Sequence, residues 1–238
     1  MANIIAGYNP LQEQYEESRK KSIKWGILSF LSFISLPGLG PIAFLFILIS
    51  FFMLGKHVAR YKPLKAAISG EKNVEKVCSS LPDSYSVLSN VELFSEGQTL
   101  YLDQVIIGPG GVFLLEVKNM NGLIEGNADN AQLTQHKTGR KGGKYSKRIR
   151  NPLKQLGGQV YHLSNFLKYY NANVWVNGLL YFSNPDAREA IRGSNYPIFT
   201  LSDGAHALRD FIIKNEQHTS LSQTEINHVV NLLTGKTT

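Results

Sequence analysis

A run of 30 residues without a single charge, residues 25–54, is the feature that most restricts how this 238-residue chain can fold. Uncharged apolar runs of this length are typical of segments that lie in a lipid bilayer. A cleaved secretory signal is disfavoured, because three glutamates precede the run and no small-residue cleavage site follows it. The sequence therefore predicts a membrane segment at residues 22–55, preceded by a polar tail at residues 1–21.

The predicted membrane segment is interrupted near its middle, where residues 36–41 include two prolines and two glycines. Proline removes an amide donor and glycine lowers helix propensity, so one unbroken helix is disfavoured. The two legs could form a helical hairpin, and a single kinked span is the alternative. Basic residues flank both ends, including a basic linker at residues 56–69, which favours a hairpin with both ends in the cytoplasm.

Charge and cysteine content narrow the partners and the compartment. Lysine and arginine exceed aspartate and glutamate by 25 to 18, giving a net charge of +7. This excess favours anionic partners, either nucleic acid or the acidic headgroups of membrane lipid. The single cysteine, Cys78, cannot form a disulfide within the chain, and the absence of a Cys and His cluster excludes a zinc finger. A reducing compartment fits this composition best.

The remainder of the chain alternates helical and strand periodicity. Apolar residues recur at helical spacing in residues 70–81 and 151–170, while strand patterns occupy residues 85–93, 99–107, 111–118 and 174–182. Two helices are predicted within residues 201–238, the second beginning with a capping box at Ser222. This order predicts an α/β domain with a mixed sheet rather than a strict βαβ repeat.

Residues 127–150 are polar, rich in glycine and strongly basic, with little apolar periodicity. We expect a mobile basic loop here that contacts phosphate groups, although a charged segment can also be an ordinary solvated surface or can contact acidic lipid. The candidate nucleic-acid-binding residues are Lys137, Arg140, Lys141, Lys144, Lys147, Arg148 and Arg150.

Three residues that could take part in catalysis lie on two successive predicted strands. Glu116 and Lys118 share one face because side chains alternate along a strand, and Asp103 lies inside the preceding apolar run. A short glycine-rich connection joins the two strands, so a hairpin can bring both carboxylates to one point. Hard oxygen ligands of this kind suit Mg²⁺ or Mn²⁺.

These residues belong to an ordered set of motifs that resembles the NERD (nuclease-related domain) family, within the PD-(D/E)XK nuclease-like group. The resemblance extends over about residues 70–181, inside a predicted domain at residues 70–200. The matching positions are Gly70-Glu71, Asn90-Val91, Leu102-Asp103, Ile107-Gly108-Pro109, Gly111-Val112-Phe113, Glu116-Val117-Lys118-Asn119, Gly122, and Asn151-Pro152 followed by Gln155. One departure is Gln104, at a position where this family commonly has histidine.

The resemblance implies a restriction-endonuclease-like mixed sheet flanked by helices, and it implies roles for particular residues. Asp103 and Glu116, with the Val117 carbonyl, are expected to hold the divalent metal. Lys118 is expected to orient the attacking water and to offset negative charge on the phosphate.

Two further residues are implied at the same site. Glu71 is expected to complete the acidic cluster, with Glu75 one helical turn away as its substitute. Gln155, in its Asn-Pro-x-x-Gln context, is expected to orient the substrate or an acidic ligand.

Three functions are compatible with the sequence. The first is a membrane-anchored, Mg²⁺-dependent nuclease that hydrolyses phosphodiester bonds of DNA or RNA, with its soluble domain in the cytoplasm. The second is an inactive nucleic-acid-binding module tethered to the membrane, and the third is a membrane scaffold. Joint retention of Asp103, Glu116 and Lys118 favours the nuclease, because paired acids repel phosphate and serve no purpose in a pure binder.

Overall fold

The computed structural model of the protein describes residues 1–139, 142–217 and 220–235. The chain divides into two compact units. One unit is the helical segment at residues 9–69, and the other combines residues 1–8 with the chain from Gly70 onward.

The helical unit consists of α1 (Pro10–Ile34) and the first part of α2 (Leu36–Ser79). Asn9 caps α1, since its Oδ1 accepts hydrogen bonds from the Leu11 and Gln12 amides. Gly40 departs from helical geometry, with φ 49° and ψ −126°, so the backbone is interrupted inside the predicted break.

Large hydrophobic side chains on both legs of the helical unit are exposed, as at Phe30 and Phe52, which are 65% and 73% exposed. From Ile42 to Ser79, α2 is long and apolar enough to cross a membrane. It is the only helix in the described part of the chain that meets this criterion.

The larger unit is built around a six-stranded mixed sheet in the order β1-β2-β3-β4-β8-β10. The middle strands β2, β3 and β4 are antiparallel neighbours, whereas β1 with β2, β4 with β8, and β8 with β10 run parallel. The bounds are β1 (Asn3–Ala6), β2 (Ser86–Ser95), β3 (Gln98–Gly108), β4 (Gly111–Lys118), β8 (Val176–Phe182) and β10 (Ile198–Thr200).

Helices cover both faces of this sheet, as the predicted mixed α/β class requires. Along β4, Val112 and Leu114 join a core that includes α3 (Pro152–Tyr169) and α5 (Gln223–Thr234). Phe113 and Leu115 join the core on the opposite face, with the end of α2 and with α4 (Ala205–Lys214). Six of the eight residues of β4 are buried, which explains why this segment reads as a continuous apolar run.

The two predicted C-terminal helices are present as α4 and α5. The Ser222 capping box is formed, because the Ser222 side chain accepts from the Glu225 amide and the Glu225 side chain accepts from the Ser222 amide. Ile226 and Val229 of α5 are buried in the α3 core. These helices therefore complete the larger unit.

The prediction of a mobile loop at residues 127–150 is wrong. The segment contributes two strands of a second sheet, in which β6 and β7 form an antiparallel hairpin and the order is β7-β6-β5-β9. Apolar alternation along β6 and β7 is weak because, of the residues in these two strands, only Leu133 and Ile149 supply inward apolar contacts. The bounds are β5 (Gly122–Asn127), β6 (Gln132–Thr138), β7 (Lys144–Arg150) and β9 (Ala187–Arg192).

The N-terminal segment is not simply a polar tail, because β1 pairs in parallel with β2 at the edge of the large sheet. Ile5 packs on the α3 core, and Ile4 packs on the core formed with α2 and α4. A strand of four residues carries too little alternation to be recognised alone, and its partner lies about 80 residues away along the chain.

We predict that Gly7→Ala loosens this edge strand. A Cβ at Gly7 would lie 2.4 Å from the Asn90 carbonyl oxygen, so β1 must shift, at a cost on the order of 1–3 kcal/mol. Gly158→Ala is the control, because nothing lies within 4 Å of its Cβ position and alanine favours the helix. Denaturant unfolding of the full chain in detergent should show a loss for the first variant only, and equal stability of Gly7→Ala and wild type would contradict the prediction.

Candidate active site

The candidate site lies where the β3–β4 pairing ends. The ladder runs from Gly108 opposite Gly111 to Gln104 opposite Leu115, and the next residues are Asp103 and Glu116. Here the Val117 amide donates to the Asp103 Oδ2 at 2.8 Å. The connection between the strands thus brings the two carboxylates together at the end of the β3–β4 pairing.

Glu116 is the most buried charged residue of the site, with 1% of its surface exposed. One of its oxygens, Oε1, accepts a short hydrogen bond from the Lys118 Nζ. The other, Oε2, has no hydrogen-bond partner among the described residues. A buried carboxylate oxygen without a partner is costly, so this position favours a cation beside it.

Asp103 is half-buried, and burial raises the pKa of its carboxyl to about 7. Repulsion from Glu116 and, more weakly, from Glu71 acts in the same direction. The Val117 amide and the Lys118 ammonium lower the pKa but do not compensate. Two acids that resist ionising together are characteristic of a site that a further positive charge would stabilise.

Glu71 approaches the site from α2, which contacts the sheet closely at Gly70. A Cβ at Gly70 would lie 2.3 Å from the Ser183 Oγ and 3.2 Å from the Asn119 Cβ, so only glycine permits this approach. The effect of Glu71 on the Asp103 pKa shows that its charge is felt at the site.

Gln155 lies on the first turn of α3, and its Oε1 accepts a 3.1 Å hydrogen bond from the Lys118 Nζ. The preceding Asn151 fixes the start of the helix, because its Oδ1 accepts from the Leu153 amide at 3.0 Å. Its amide nitrogen donates to the Ala128 and Asn130 carbonyls. Pro152 is suited to the first helical position. The Asn-Pro-x-x-Gln motif therefore sets the position from which Gln155 reaches Lys118.

Gln104, the departure from the family pattern, is buried away from this cluster. Its Oε1 accepts a hydrogen bond from the Cys78 Sγ at 3.1 Å. Burial raises the pKa of the Cys78 thiol to about 12, so the thiol stays protonated. Gln104 and Cys78 thus form an internal contact between β3 and α2.

The contacts made just after β8 were not predicted from the sequence. The Ser183 amide donates to the Lys118 carbonyl at 3.1 Å, and the Asn184 Nδ2 donates to the Asn119 Oδ1 at 2.7 Å. Because β4 and β8 are parallel, their carboxyl ends lie side by side. The polar Ser-Asn-Pro turn after β8 was therefore the sequence feature that could have predicted these contacts. These bonds fix the backbone on which Lys118 is carried.

The predicted basic residues are not gathered into one surface. Lys137 lies on β6, while Lys144, Lys147, Arg148 and Arg150 lie on β7 and alternate between its two faces. Arg140 and Lys141 lie outside the described residues.

The donor set fits a sparsely coordinated Mg²⁺ or Mn²⁺. Across the described residues, no group of three His, Cys, Asp or Glu side chains is arranged to hold a metal. Mg²⁺ is commonly held by one or two carboxylates and otherwise by water and substrate phosphate. Asp103, Glu116 and the Val117 carbonyl could form a set of this kind, and the unpartnered Glu116 Oε2 would be one available ligand atom.

Comparison with known families agrees with a nuclease-related class. Residues 66–183 match the family model of the nuclease-related domain, NERD. This match confirms the predicted resemblance to the NERD family over residues 66–183, and the PD-(D/E)XK grouping is consistent with that family.

One curated relative is an uncharacterized Bacillus anthracis protein, pXO1-01, which is 42% identical over 82 residues. That match covers 34% of this chain and 37% of the relative, so the two share well under half of their lengths. No solved structure matches the chain.

We predict that Asp103 makes the metal-free protein less stable as pH rises. With a folded pKa near 7 and an ordinary unfolded pKa near 4, the folded state binds the extra proton between these values, so the free energy of unfolding falls as pH rises through this range. Asp103→Asn should flatten that dependence. Denaturant unfolding in a chelator from pH 4 to 8 is the measurement, and an unchanged slope in the variant would refute the assignment.

Proposed function

We propose that this protein is a membrane-anchored nuclease that depends on a divalent metal and hydrolyses phosphodiester bonds of nucleic acid, with DNA as the first substrate to test. The observation that carries the proposal is the buried Glu116 beside Asp103, bonded to Lys118, within a nuclease-related domain. Phosphodiester cleavage needs charge placed close to a phosphate, and this cluster supplies it.

Asp103, Glu116 and the Val117 carbonyl would hold Mg²⁺ or Mn²⁺. When bound, the metal supplies Lewis acidity and lowers the pKa of coordinated water. The two carboxylates offset the positive charge of the ion and keep it at the end of the sheet. Glu71 adds negative charge from α2, consistent with its effect on the Asp103 pKa.

Lys118 is the residue that acts on the reacting groups. Its side chain is 22% exposed, and its ammonium can contact both the attacking water and a phosphate oxygen. Glu116 and Gln155 both accept hydrogen bonds from the Lys118 Nζ and hold it in one orientation. Gln155 is therefore a positioning residue for the lysine.

A binding module without activity is the competing function, and the electrostatics of the site oppose it. Two carboxylates at one point repel phosphate unless a cation lies between them. Burial of Glu116 also costs folding free energy, which a binding surface has no need to bear. Both features are accounted for by an enzyme that uses the cation in catalysis.

For membrane attachment, we infer a hairpin rather than a single span. The strand β1 precedes the apolar segment and β2 follows it, yet the two pair side by side. A single span would separate them by the bilayer, whereas a hairpin returns the chain to the side from which it left. The basic flanks then favour the cytoplasmic side for the nuclease-related domain.

We predict that Asp103→Asn, Glu116→Gln and Lys118→Ala each reduce cleavage of labelled DNA and RNA by about a hundredfold or more. The full chain in detergent is the right preparation, because a fragment beginning after the apolar segment would lack β1. Calorimetry with Mn²⁺ should separate the roles, since the carboxylate variants lose metal binding while Lys118→Ala retains it. Gln104→Asn, in the internal contact with Cys78, tests whether cleavage tolerates a change outside the cluster.

Wild-type protein that binds no Mg²⁺ or Mn²⁺ and cleaves neither nucleic acid would exclude the enzymatic function. Cleavage that persists at the wild-type rate in Glu116→Gln would place the chemistry at another site.

We predict that both termini lie on the cytoplasmic side. In a Cys78→Ser background, a cysteine appended to either end should react with an impermeant maleimide only after the cells are permeabilised. A different membrane protein with a cysteine known to face the outside of the cell provides the positive control for labelling. Reaction of the N-terminal cysteine in intact cells would favour a single span and exclude the β1–β2 pairing in the membrane-bound protein.

A further inference from the structure

The β6–β7 hairpin has two faces with different chemistry, and its register assigns each basic residue to one of them. The pairs Gln135 with Lys147 and Lys137 with Tyr145 share one face, which we call the inner face. Residues on the opposite, outer face include Lys144, Arg148 and Arg150. The inner face begins at the pair of buried Leu133 and partly buried Ile149, and it becomes more exposed toward the hairpin turn.

The inner face is the one connected to the candidate active site. Gln135 is buried on it, and its Nε2 donates to the Asn121 carbonyl at 2.7 Å. Asn121 lies only three residues after Lys118. Lys137 is two residues beyond Gln135 on the same side, so about 7 Å of strand separates them. At its other end the hairpin leads directly into α3, which carries Gln155.

Lys137 and Lys147 are diagonal neighbours on the inner face, because Lys147 lies two residues from Tyr145, the partner of Lys137. The pKa of Lys137 is lowered, first by partial burial and then by the charge of Lys147. Partial burial and the charge of Lys147 both disfavour the charged form of Lys137, so the positive charge of this pair lacks full compensation. A phosphate group near both lysines would relieve the repulsion between them.

Side chains on the outer face are engaged differently. His136 contacts the Glu125 Oε1 through its Nε2 at 2.9 Å and the Ser146 Oγ through its Nδ1 at 2.7 Å. Glu125 therefore adds an acid to the face that carries Arg148. The outer face is less suited to a polyanion for this reason.

Tyr145 gives the inner face an exposed aromatic ring, which favours single-stranded over duplex nucleic acid. The side chain is 52% exposed and lies opposite Lys137 across the hairpin. An exposed aromatic ring can stack on an unpaired base, whereas the bases of a duplex are stacked on one another. One ring and two ammonium groups match the alternating bases and phosphates of a single strand.

We propose that the inner face, formed by Lys137, Tyr145 and Lys147, binds single-stranded nucleic acid and guides it to the Asp103 and Glu116 carboxylates. The proposal rests on the proposed nuclease function for its destination, and it assigns the substrate class. It also divides the basic residues of the hairpin into a substrate-binding pair and a group that does not contact substrate.

The decisive comparison uses two double variants that remove the same charge. Lys137→Gln with Lys147→Gln neutralises the inner face, and Lys144→Gln with Arg148→Gln neutralises two positions of the outer face. Each is made in a Glu116→Gln full-length background, which prevents cleavage, and is placed in nanodiscs of neutral lipid. Fluorescence anisotropy with a labelled 20-nucleotide single strand gives the affinity at several salt concentrations.

We expect the inner variant to bind at least about tenfold more weakly than the parent, with the salt slope reduced by about 1.4 for two lost phosphate contacts on a single strand. The outer variant should stay within about threefold at moderate salt. Equal losses in the two variants, or a larger loss in the outer variant, would overturn the proposal.

A tyrosine pair tests the preference for single strands. Tyr145→Ala should weaken binding of the single strand about fivefold or more, as expected for one lost stacked base, and leave duplex binding unchanged. Tyr169→Ala is the control, because Tyr169 is also exposed, at 79% against 52% for Tyr145, but lies at the far end of α3. Identical effects of Tyr145→Ala on both forms of nucleic acid would overturn the single-strand assignment.

Two further outcomes separate this proposal from the proposed function. If the inner variant loses binding as expected but protein with native Glu116 cleaves nothing with Mg²⁺, the binding face stands and the nuclease does not. If instead the inner variant binds the single strand like its parent but loses binding to phosphatidylglycerol vesicles, the face binds an acidic lipid surface and the proposal is overturned.

Discussion

The burial of β4 on both faces is the constraint on which the rest of the larger unit depends. A strand covered by helices on each side must be apolar throughout, and β4 is apolar from Val112 to Leu115. Its last residues are a glutamate, a valine and a lysine, so charge enters at the point where the strand leaves the core. Glu116 remains buried there, and its burial is tolerable only with a cation nearby.

Lys118 supplies part of that compensation, and the neighbouring elements hold it in place. The antiparallel strand β3 brings Asp103 beside Glu116, while parallel β8 fixes the Lys118 carbonyl through the Ser183 amide. Helix α3 adds Gln155 from one face of the sheet, and α2 adds Glu71 through the close approach at Gly70. The raised pKa of Asp103 follows from this crowding, because the lysine alone does not balance the acids.

Sequence patterns predicted the elements that lie at the centre of the sheet and missed those at its edges. The predicted strand at residues 111–118 coincides with β4, because both of its faces are buried and its ends are marked by glycine and by charge. The edge strands β1 and β10 have four and three residues, too few to establish a period. Strands β6 and β7 are mostly polar, so their pairing depends on partners that periodicity within one segment does not reveal.

For the candidate site, Glu116 and Lys118 were predictable as charges at the end of an apolar strand and Asp103 as an acid inside one, whereas Glu71 and Gln155 came from the family resemblance. The contacts of Asn119 with Asn184 and of Gln135 with Asn121 were not predictable, since amides pair through tertiary structure and carry no spacing signal. The register of β6 with β7 belongs to the same class of information. It determines which lysines share a face, and a one-residue shift would exchange the two faces completely.

The same register determines how the second sheet can contribute to the candidate site. Its β6–β7 hairpin contacts the segment after β4 through the bond from Gln135 to the Asn121 carbonyl, and it ends next to the helix that carries Gln155. Positive charge on such a hairpin is carried by paired strands instead of sampling solvent as a loop would. Under the proposed function, the pair of lysines attracts phosphate while the two carboxylates remain available to hold a metal, because the lysines and the acids lie on different strands.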